Sequence, residues 1–317
     1  MKYVFLDCDP GHDDAMAIIL AGHHPDLHLL GVSTACGNQT VDKTTINALK
    51  ILSVSGLEHV EVVKGQAAPL MRPPKPCPEI HGTSGLDGTT FPVLTKKPIQ
   101  GKKAIVYMNE VISQQTEPVH LICTGQLTNA ALLLTVYPEI KEKLAQIVFM
   151  GGGVGVGNTS PAAEFNIECD PEAAKIVLES GVQIVMVPLE VTHTALCTPT
   201  IIERLHSLNT SFSSLIVDLL MFFQDAYKKV FRFQHPPLHD PCAVLYVARP
   251  DLFKTELMRV DIDTESRLCA GRTVCDIYHM STLVKNVHVA LHMNVDEFWN
   301  QMIQAVQKAD TLSSMNK

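Results

Sequence analysis

A strand-like apolar run, Tyr3 to Leu6, leads directly into four carboxylates within eight positions: Asp7, Asp9, Asp13 and Asp14. Pro10-Gly11 lets the chain bend between them, and a helix-like stretch from Asp13 to Gly22 follows. A strand-to-helix turn is where open α/β proteins place their ligands. Acids massed at one point repel one another unless a cation or a shared proton relieves them. The motif therefore predicts an α/β chain whose first βα turn holds a hard metal ion. Helix capping uses one acid, so it can account for Asp13 alone but not for the set. Asp7 lies two residues deeper on the strand, which suits a structural hydrogen-bonding role.

The remainder of the chain keeps the same β-then-α order. Strands are expected at 2–8, 27–36, 60–63, 119–123, 147–150 and 182–187, with further strand-like pieces near 258–262 and 273–277. Helices are expected at 13–21, 41–55, 103–114, 127–136, 171–179, 201–229 (broken around 208–210), 241–247 and 295–308. This alternation implies an open, mainly parallel central sheet flanked by helices, a Rossmann-like core. No repeat, linker or composition shift divides it, so residues 1–317 are expected to form a single domain. The polar clusters Asp9–Asp14, Gly37-Asn38, Thr124-Gly125, Met150–Asn158 and Pro188–His193 each follow a strand. In a parallel sheet those strand ends share one edge, so five distant segments should converge on one cleft.

Composition narrows the partners. A net charge of −8 argues against nucleic-acid binding. A hydrophobic fraction of 46% with 18% charged residues describes a well-buried globule. The nine cysteines form no CxxC pair, and Cys8, Cys123 and Cys169 fall in or beside apolar segments, as free thiols in a reducing compartment would. With strand 1 at the amino end there is no room for a signal peptide, and no apolar run is long enough to span a bilayer. The expectation is a cytoplasmic protein without a membrane partner.

Oxygen ligands without a Cys/His pair at zinc spacing favour calcium or magnesium. His239-Asp240, set between prolines, reads as a helix start with Asp240 as the N-cap; the adjoining His can act as a proton donor. The glycine-rich stretch 151–157 matches a dinucleotide fingerprint only weakly. It continues as loop through Asn166 instead of opening a helix. Glu164, Phe165 and Asn166 offer two polar groups around an aromatic, as a sugar or base requires. His81 lies in the long Pro- and Gly-rich loop 67–92, of a length typical of lids. His193 reads as cleft-lining or structural, and His12, His23, His24 and His28 as surface residues.

Together, Asp7-x-Asp9-Pro10-Gly11-x-Asp13-Asp14-Ala15, Gly37-Asn38, His81-Gly82, Thr124-Gly125-x-Leu127-Thr128-Asn129, Met150-Gly151-Gly152, Glu164-Phe165-Asn166 and His239-Asp240-Pro241 resemble the calcium-dependent nucleoside hydrolases, the inosine-uridine-preferring ribohydrolases. The resemblance runs through essentially the whole chain in order. It implies a calcium ion held by Asp9, Asp14, Asp240 and the Thr124 carbonyl, with Asp9 as general base toward an activated water. It implies ribose contacts from Asp13, Asn38, Met150, Asn158, Glu164 and Asn166. Phe165 would sit near the cationic sugar, on the base side with His81 and Tyr227, and His239 would protonate the leaving base. A homodimer or homotetramer is implied as well. Thr83 departs from the pattern, standing where an acidic or other polar residue is expected, and the match is loosest over 222–235, which holds Tyr227 and Arg232. The His239 position resembles the broad-specificity branch; the purine-specific branch relies on tryptophan stacking, and the sole tryptophan here, Trp299, lies in the last helix.

The function implied is hydrolysis of purine and pyrimidine ribonucleosides, inosine and uridine foremost, to base and ribose. A metal-dependent phosphohydrolase using Asp7 or Asp9 as nucleophile is the competing reading, but no lysine or Ser/Thr phosphate cradle follows the strands. Two further readings compete with it: a purine-restricted nucleosidase, and a catalytically idle binder of calcium or nucleosides.

Overall fold

Strand β1 (Lys2–Cys8) fixes the arrangement of everything else. Its side chains alternate between two apolar cores. Val4, Leu6 and Cys8 enter one and Phe5 the other, so the strand is buried on both faces. The computed structural model, covering residues 1–317, places β1 centrally in an eight-stranded sheet of order β3-β2-β1-β4-β5-β6-β10-β7. The other strands are β2 (Leu27–Thr34), β3 (Val62–Lys64), β4 (Val119–Cys123), β5 (Leu144–Met150), β6 (Ile184–Val187), β7 (Phe253–Met258) and β10 (Val287–Met293). All pairings are parallel except β10 with β7. A small antiparallel hairpin, β8 (Val260–Ile262) with β9 (Thr273–Cys275), stands apart.

The helices are α1 (His12–His23), α2 (Val41–Val54), α3 (Pro78–His81), α4 (Ala104–Ser113), α5 (Thr128–Val136), α6 (Phe165–Cys169) and α7 (Pro171–Leu178). They continue with α8 (Leu189–Thr192), α9 (Pro199–His206), α10 (Ser211–Val230), α11 (Asp240–Ala248) and α12 (Val295–Leu312). From β1 the chain winds outward through β2 and β3, then returns to the other side of β1 to begin β4. The reversal leaves a crevice between the carboxyl ends of β1 and β4, where such sheets bind ligands. Helix α1 starts at this crevice and packs between α2 and α11, and every residue from His12 to Ala21 is buried. No helix is long and apolar enough to cross a membrane.

The expected α/β order is present, with corrections; among them, the short helices α3 and α8 lie where loop was expected. Strands β7 and β10 are additional to the expected strands; in β10 the run Val287-His288-Val289-Ala290-Leu291-His292 mixes apolar and polar residues without the continuous apolar character of the central strands. Helix α6 begins at Phe165 inside the segment expected to remain loop, because the Glu164 side chain accepts hydrogen bonds from the Asn166 and Ile167 amides and starts a turn. Asp240 is not the cap of α11: it is the first helical residue, and His239 occupies the cap position without a side-chain bond. The break between α9 and α10 falls where expected, and all nine cysteines are free, with Cys8, Cys123 and Cys169 buried.

Candidate active site

Four of the five polar clusters converge on one cleft, of about 250 Å³, at the carboxyl edge of the sheet. Asp13, Asn38, Thr124, Met150 and Asn158 line it from the ends of β1, β2, β4 and β5. Glu164, Phe165 and Asn166 join from α6, His81 from α3, Tyr227 from α10, and His239 and Asp240 from α11. Asp9 and Asp14 lie behind this lining, wholly buried. The fifth cluster, 188–193, reaches the cleft only indirectly, through Thr192.

The acids divide by their partners. Asp7 Oδ1 accepts from Ser33 Oγ at 2.6 Å and Asn129 Nδ2 at 2.8 Å, tying β1 to β2 and α5. Burial raises its carboxyl to about 7. Asp9 Oδ2 accepts the Asn38 amide at 2.6 Å, while Oδ1 is buried without any partner. The room for Asp9 depends on glycines. A Cβ at Gly37 would stand 1.9 Å from its Oδ2, and one at Gly125 would stand 2.5 Å from its Oδ1. Asp14 accepts from Thr124 Oγ1 (2.7 Å), the Gly11 amide (3.0 Å) and Asn38 Nδ2 (3.1 Å).

Ligand atoms of Asp13, Asp14 and Asp240 lie within 4.8 Å of one another, and all three residues are buried. Asp13 Oδ1, like Asp9 Oδ1, has no partner. Burial, reinforced by the neighbouring carboxylates, holds Asp9, Asp13 and Asp240 above the usual carboxylate range; burial also raises Asp14. The only lysine or arginine among the lining residues is Lys75, and it pairs with Glu168 at 2.8 Å. Orphaned buried oxygens within a group of acids, with no protein cation to neutralise them, fit a hard metal ion. The arrangement can hold one.

The polar groups around α6 are largely committed to backbone. Glu164 accepts from the Gly152, Asn166 and Ile167 amides, and burial lifts its carboxyl to about 7. Asn166 Nδ2 donates to the carbonyls of Thr124 (2.8 Å) and Met150 (3.1 Å). Asn158 Oδ1 accepts the Phe165 amide at 2.9 Å. These bonds fasten the glycine loop and α6 to the ends of β4 and β5.

On the other side, His239 is held at both ring nitrogens: Thr192 Oγ1 lies 2.7 Å from Nδ1 and Tyr227 Oη 2.8 Å from Nε2. Burial pushes His239 down to about 3 and raises the Tyr227 phenol. Phe223 packs against both Tyr227 and His81. Several contributors lie outside the sequence expectations. Thr192 is one, a neighbour of the more conspicuous His193, which touches the His239 ring edge-on. His12, expected at the surface, is buried and bonds to His81; its position at the first turn of a helix enclosed on all sides was the available signal. His24 is buried too, through a bond to Gln301, whereas His23 is half-buried and His28 exposed. Thr83 is exposed and bonds to Asp87, away from the lining residues. Arg232 is likewise absent from the lining.

The chain is similar to known proteins over nearly its whole length. Residues 4–300 match the family described as inosine-uridine preferring nucleoside hydrolase. A probable ribonucleoside hydrolase of Dictyostelium discoideum is 51% identical over 96% of this chain and 94% of its own. The pyrimidine-specific ribonucleoside hydrolase RihA of Shewanella baltica strain OS155 is 42% identical over 98% and 97%. Among solved structures, the purine-preferring ribonucleoside hydrolase from Gardnerella vaginalis superposes with a TM-score of 0.91 at 30% identity, covering 98% of this chain and 100% of that one. The chain therefore belongs to the inosine-uridine preferring nucleoside hydrolases, enzymes that cleave the N-glycosidic bond of ribonucleosides.

Proposed function

We propose that this ribonucleoside hydrolase accepts both purine and pyrimidine ribonucleosides, inosine and uridine foremost, and that the ion its acids hold is calcium. The observation that carries the reading is the pairing of orphaned carboxylate oxygens at Asp9 and Asp13 with the buried Thr192–His239–Tyr227 unit around one cleft. Asp9, Asp14, Asp240 and the Thr124 carbonyl are the proposed ligands. Asp13 stands close enough to Asp14 and Asp240 to join them. A bound divalent cation anchors vicinal hydroxyls and makes a neighbouring water more acidic.

The protein groups then have separate tasks. Asp9, fixed through Oδ2 by the Asn38 amide, takes the proton of the attacking water at its free Oδ1. Asp13, Asn38, Met150, Asn158, Glu164 and Asn166 surround the ribose. The carboxylates among them favour the positive charge that develops on the sugar as the glycosidic bond breaks. Phe165 sits beside that charge. His81, Tyr227 and His239 face the base. Because burial keeps the His239 ring neutral, the proton for the leaving base comes from a neutral N–H or O–H of the His239–Tyr227 pair. Trp299 is packed on Phe298 in the core, so the cleft offers no tryptophan for purine stacking.

Two assembly and location readings accompany this one. Exposed apolar side chains at and beyond the β8–β9 hairpin, among them Leu268, Tyr278, Met280 and Val284, offer a surface for a homodimer or homotetramer. Nine free thiols suit a cytoplasmic location. Ribose release from a panel of nucleosides, with and without chelator, tests the substrate and metal assignments. Release restricted to purines, or undiminished by chelator, defeats the corresponding part.

A further inference from the structure

Two histidines meet at a single nitrogen beside the cleft. The His12 ring is nearly parallel to those of Phe222, Phe223 and His81, with centroids 5.2, 5.5 and 5.4 Å away. Its Nε2 lies 2.9 Å from the Asp87 carbonyl oxygen. A carbonyl only accepts, so Nε2 carries a hydrogen. The neutral imidazole has one N–H, which leaves His12 Nδ1 bare. That bare atom is 3.2 Å from His81 Nδ1, and the His12 peptide N–H approaches the same His81 atom at 3.2 Å.

His81 Nδ1 can serve only one of these neighbours. With a hydrogen it donates to the His12 ring; without one it accepts from the His12 peptide. The second choice sets two buried lone pairs against each other at 3.2 Å. The first leaves unserved a peptide N–H of the first helical turn, a position with no helical partner in any case. The ring-to-ring bond therefore gives every contacting side-chain nitrogen a partner. It also decides the character of His81 Nε2, which has no bond within the protein on a ring that lines the cleft.

We infer that His12 is a positioning residue that sets the tautomer of His81, holding its hydrogen on Nδ1 so that Nε2 meets the base as a hydrogen-bond acceptor. The inference rests on the ribonucleoside reading of the cleft and extends it to base discrimination. Uracil and cytosine carry opposite donor and acceptor groups along the same edge, at N3 and at position 4. A change of sign at His81 Nε2 must therefore alter the preference between uridine and cytidine.

The test uses the full chain with ¹⁵N-labelled histidine, as wild type, His12→Asn and His12→Phe. Asn Oδ1 replaces the bare Nδ1 as acceptor, whereas Phe leaves only the peptide N–H facing His81. The expected spectra show His81 protonated at Nδ1 in wild type and His12→Asn, and at Nε2 in His12→Phe. The ratio of kcat/KM for uridine over cytidine is expected to move at least about fivefold in His12→Phe, the lower bound for one mismatched buried polar group. It should stay within about twofold in His12→Asn. The same His81 tautomer in all three proteins, or an equal loss on both nucleosides in His12→Phe, overturns the inference. If His12→Phe does not fold, a wild-type His81 protonated at Nε2 overturns it alone. If wild type cleaves neither nucleoside, the broad ribonucleoside reading fails, while the spectra still decide the role of His12.

Discussion

Tyr227 Oη lies 2.8 Å from His239 Nε2, and that contact couples the two side chains. With Thr192 on Nδ1, neither ring nitrogen of His239 is left free, so in the proposed reaction a proton reaches the leaving base by exchange within the Tyr227 contact. Tyr227→Phe is expected to lower kcat on slow-leaving bases by about 10²-fold, the low end for loss of a general acid, with KM little changed. Thr192→Val, which removes the orienting bond, should give a smaller loss of the same kind. Steady-state kinetics on a series of nucleosides graded by leaving-group acidity measure both.

Asp7 and Asp9 stand two residues apart yet should fail in opposite ways. Asp7 joins Ser33 and Asn129, so Asp7→Ala leaves buried donors unpaired and is expected to cost about 1–3 kcal/mol of stability. Its activity per folded molecule should be near normal. Asp9→Asn preserves shape and the Asn38 contact but removes the base, so activity should fall about 10²–10⁴-fold with the unfolding midpoint held. Urea unfolding and ribose release on the two variants separate these outcomes.

Gly37 carries the space that Asp9 needs. The Cβ of Gly37→Ala would fall 1.9 Å from Asp9 Oδ2, so the carboxylate must move and its bond to the Asn38 amide break. A loss of at least about tenfold in kcat/KM is expected, with about 1–3 kcal/mol of destabilisation from overpacking.

Stability should respond to pH and to calcium together. Asp7 and Glu164 are raised to about 7, and Asp9, Asp13, Asp14 and Asp240 are raised as well, so the folded, ion-free protein binds more protons than the unfolded chain above about pH 4. These acids contribute stability that is present below their unfolded range and lost as pH rises through their folded values. His239 and His12, pushed down to about 3 and 4, act oppositely: their contribution is present above pH 6.5 and lost as pH falls. The proposed calcium ion would displace protons from the acids, so its binding is expected to strengthen with pH. The rise in Tm on adding calcium is expected to be larger at pH 8 than at pH 6, as differential scanning fluorimetry with and without chelator would show.

Much of the fold is legible in the sequence. Continuous apolar runs bounded by turn residues placed β1, β2, β4 and β6 to within a few residues, as expected of central parallel strands buried on both faces. The ends of β1, β2 and β4 then marked cleft segments, whereas the segment after β6 touches the cleft only through Thr192. What escaped depended on partners distant in sequence. The burial of His12 follows from Phe222 and Phe223 of α10 and the Asp87 segment packing against it, and the contact of Thr192 from a helix about fifty residues away that places His239 beside it. Strand β10 was hidden by His288 and His292, polar residues tolerated because the strand, paired between β6 and the edge strand β7, is only partly buried toward its end.

The crevice between β1 and β4 also has a consequence in time. Asp9, Asp13 and Asp14 leave the ribosome early, whereas Asp240 emerges about 10–50 s later at ordinary rates of about 5–20 residues per second. Until then the acidic turn lacks one of its proposed ligands and much of the apolar cover contributed by α10, α11 and α12. The nascent chain can pair β1 with β2 and β4, but the complete site must wait for its last third. Free calcium during synthesis would therefore act on the final closure of the molecule more than on its first collapse.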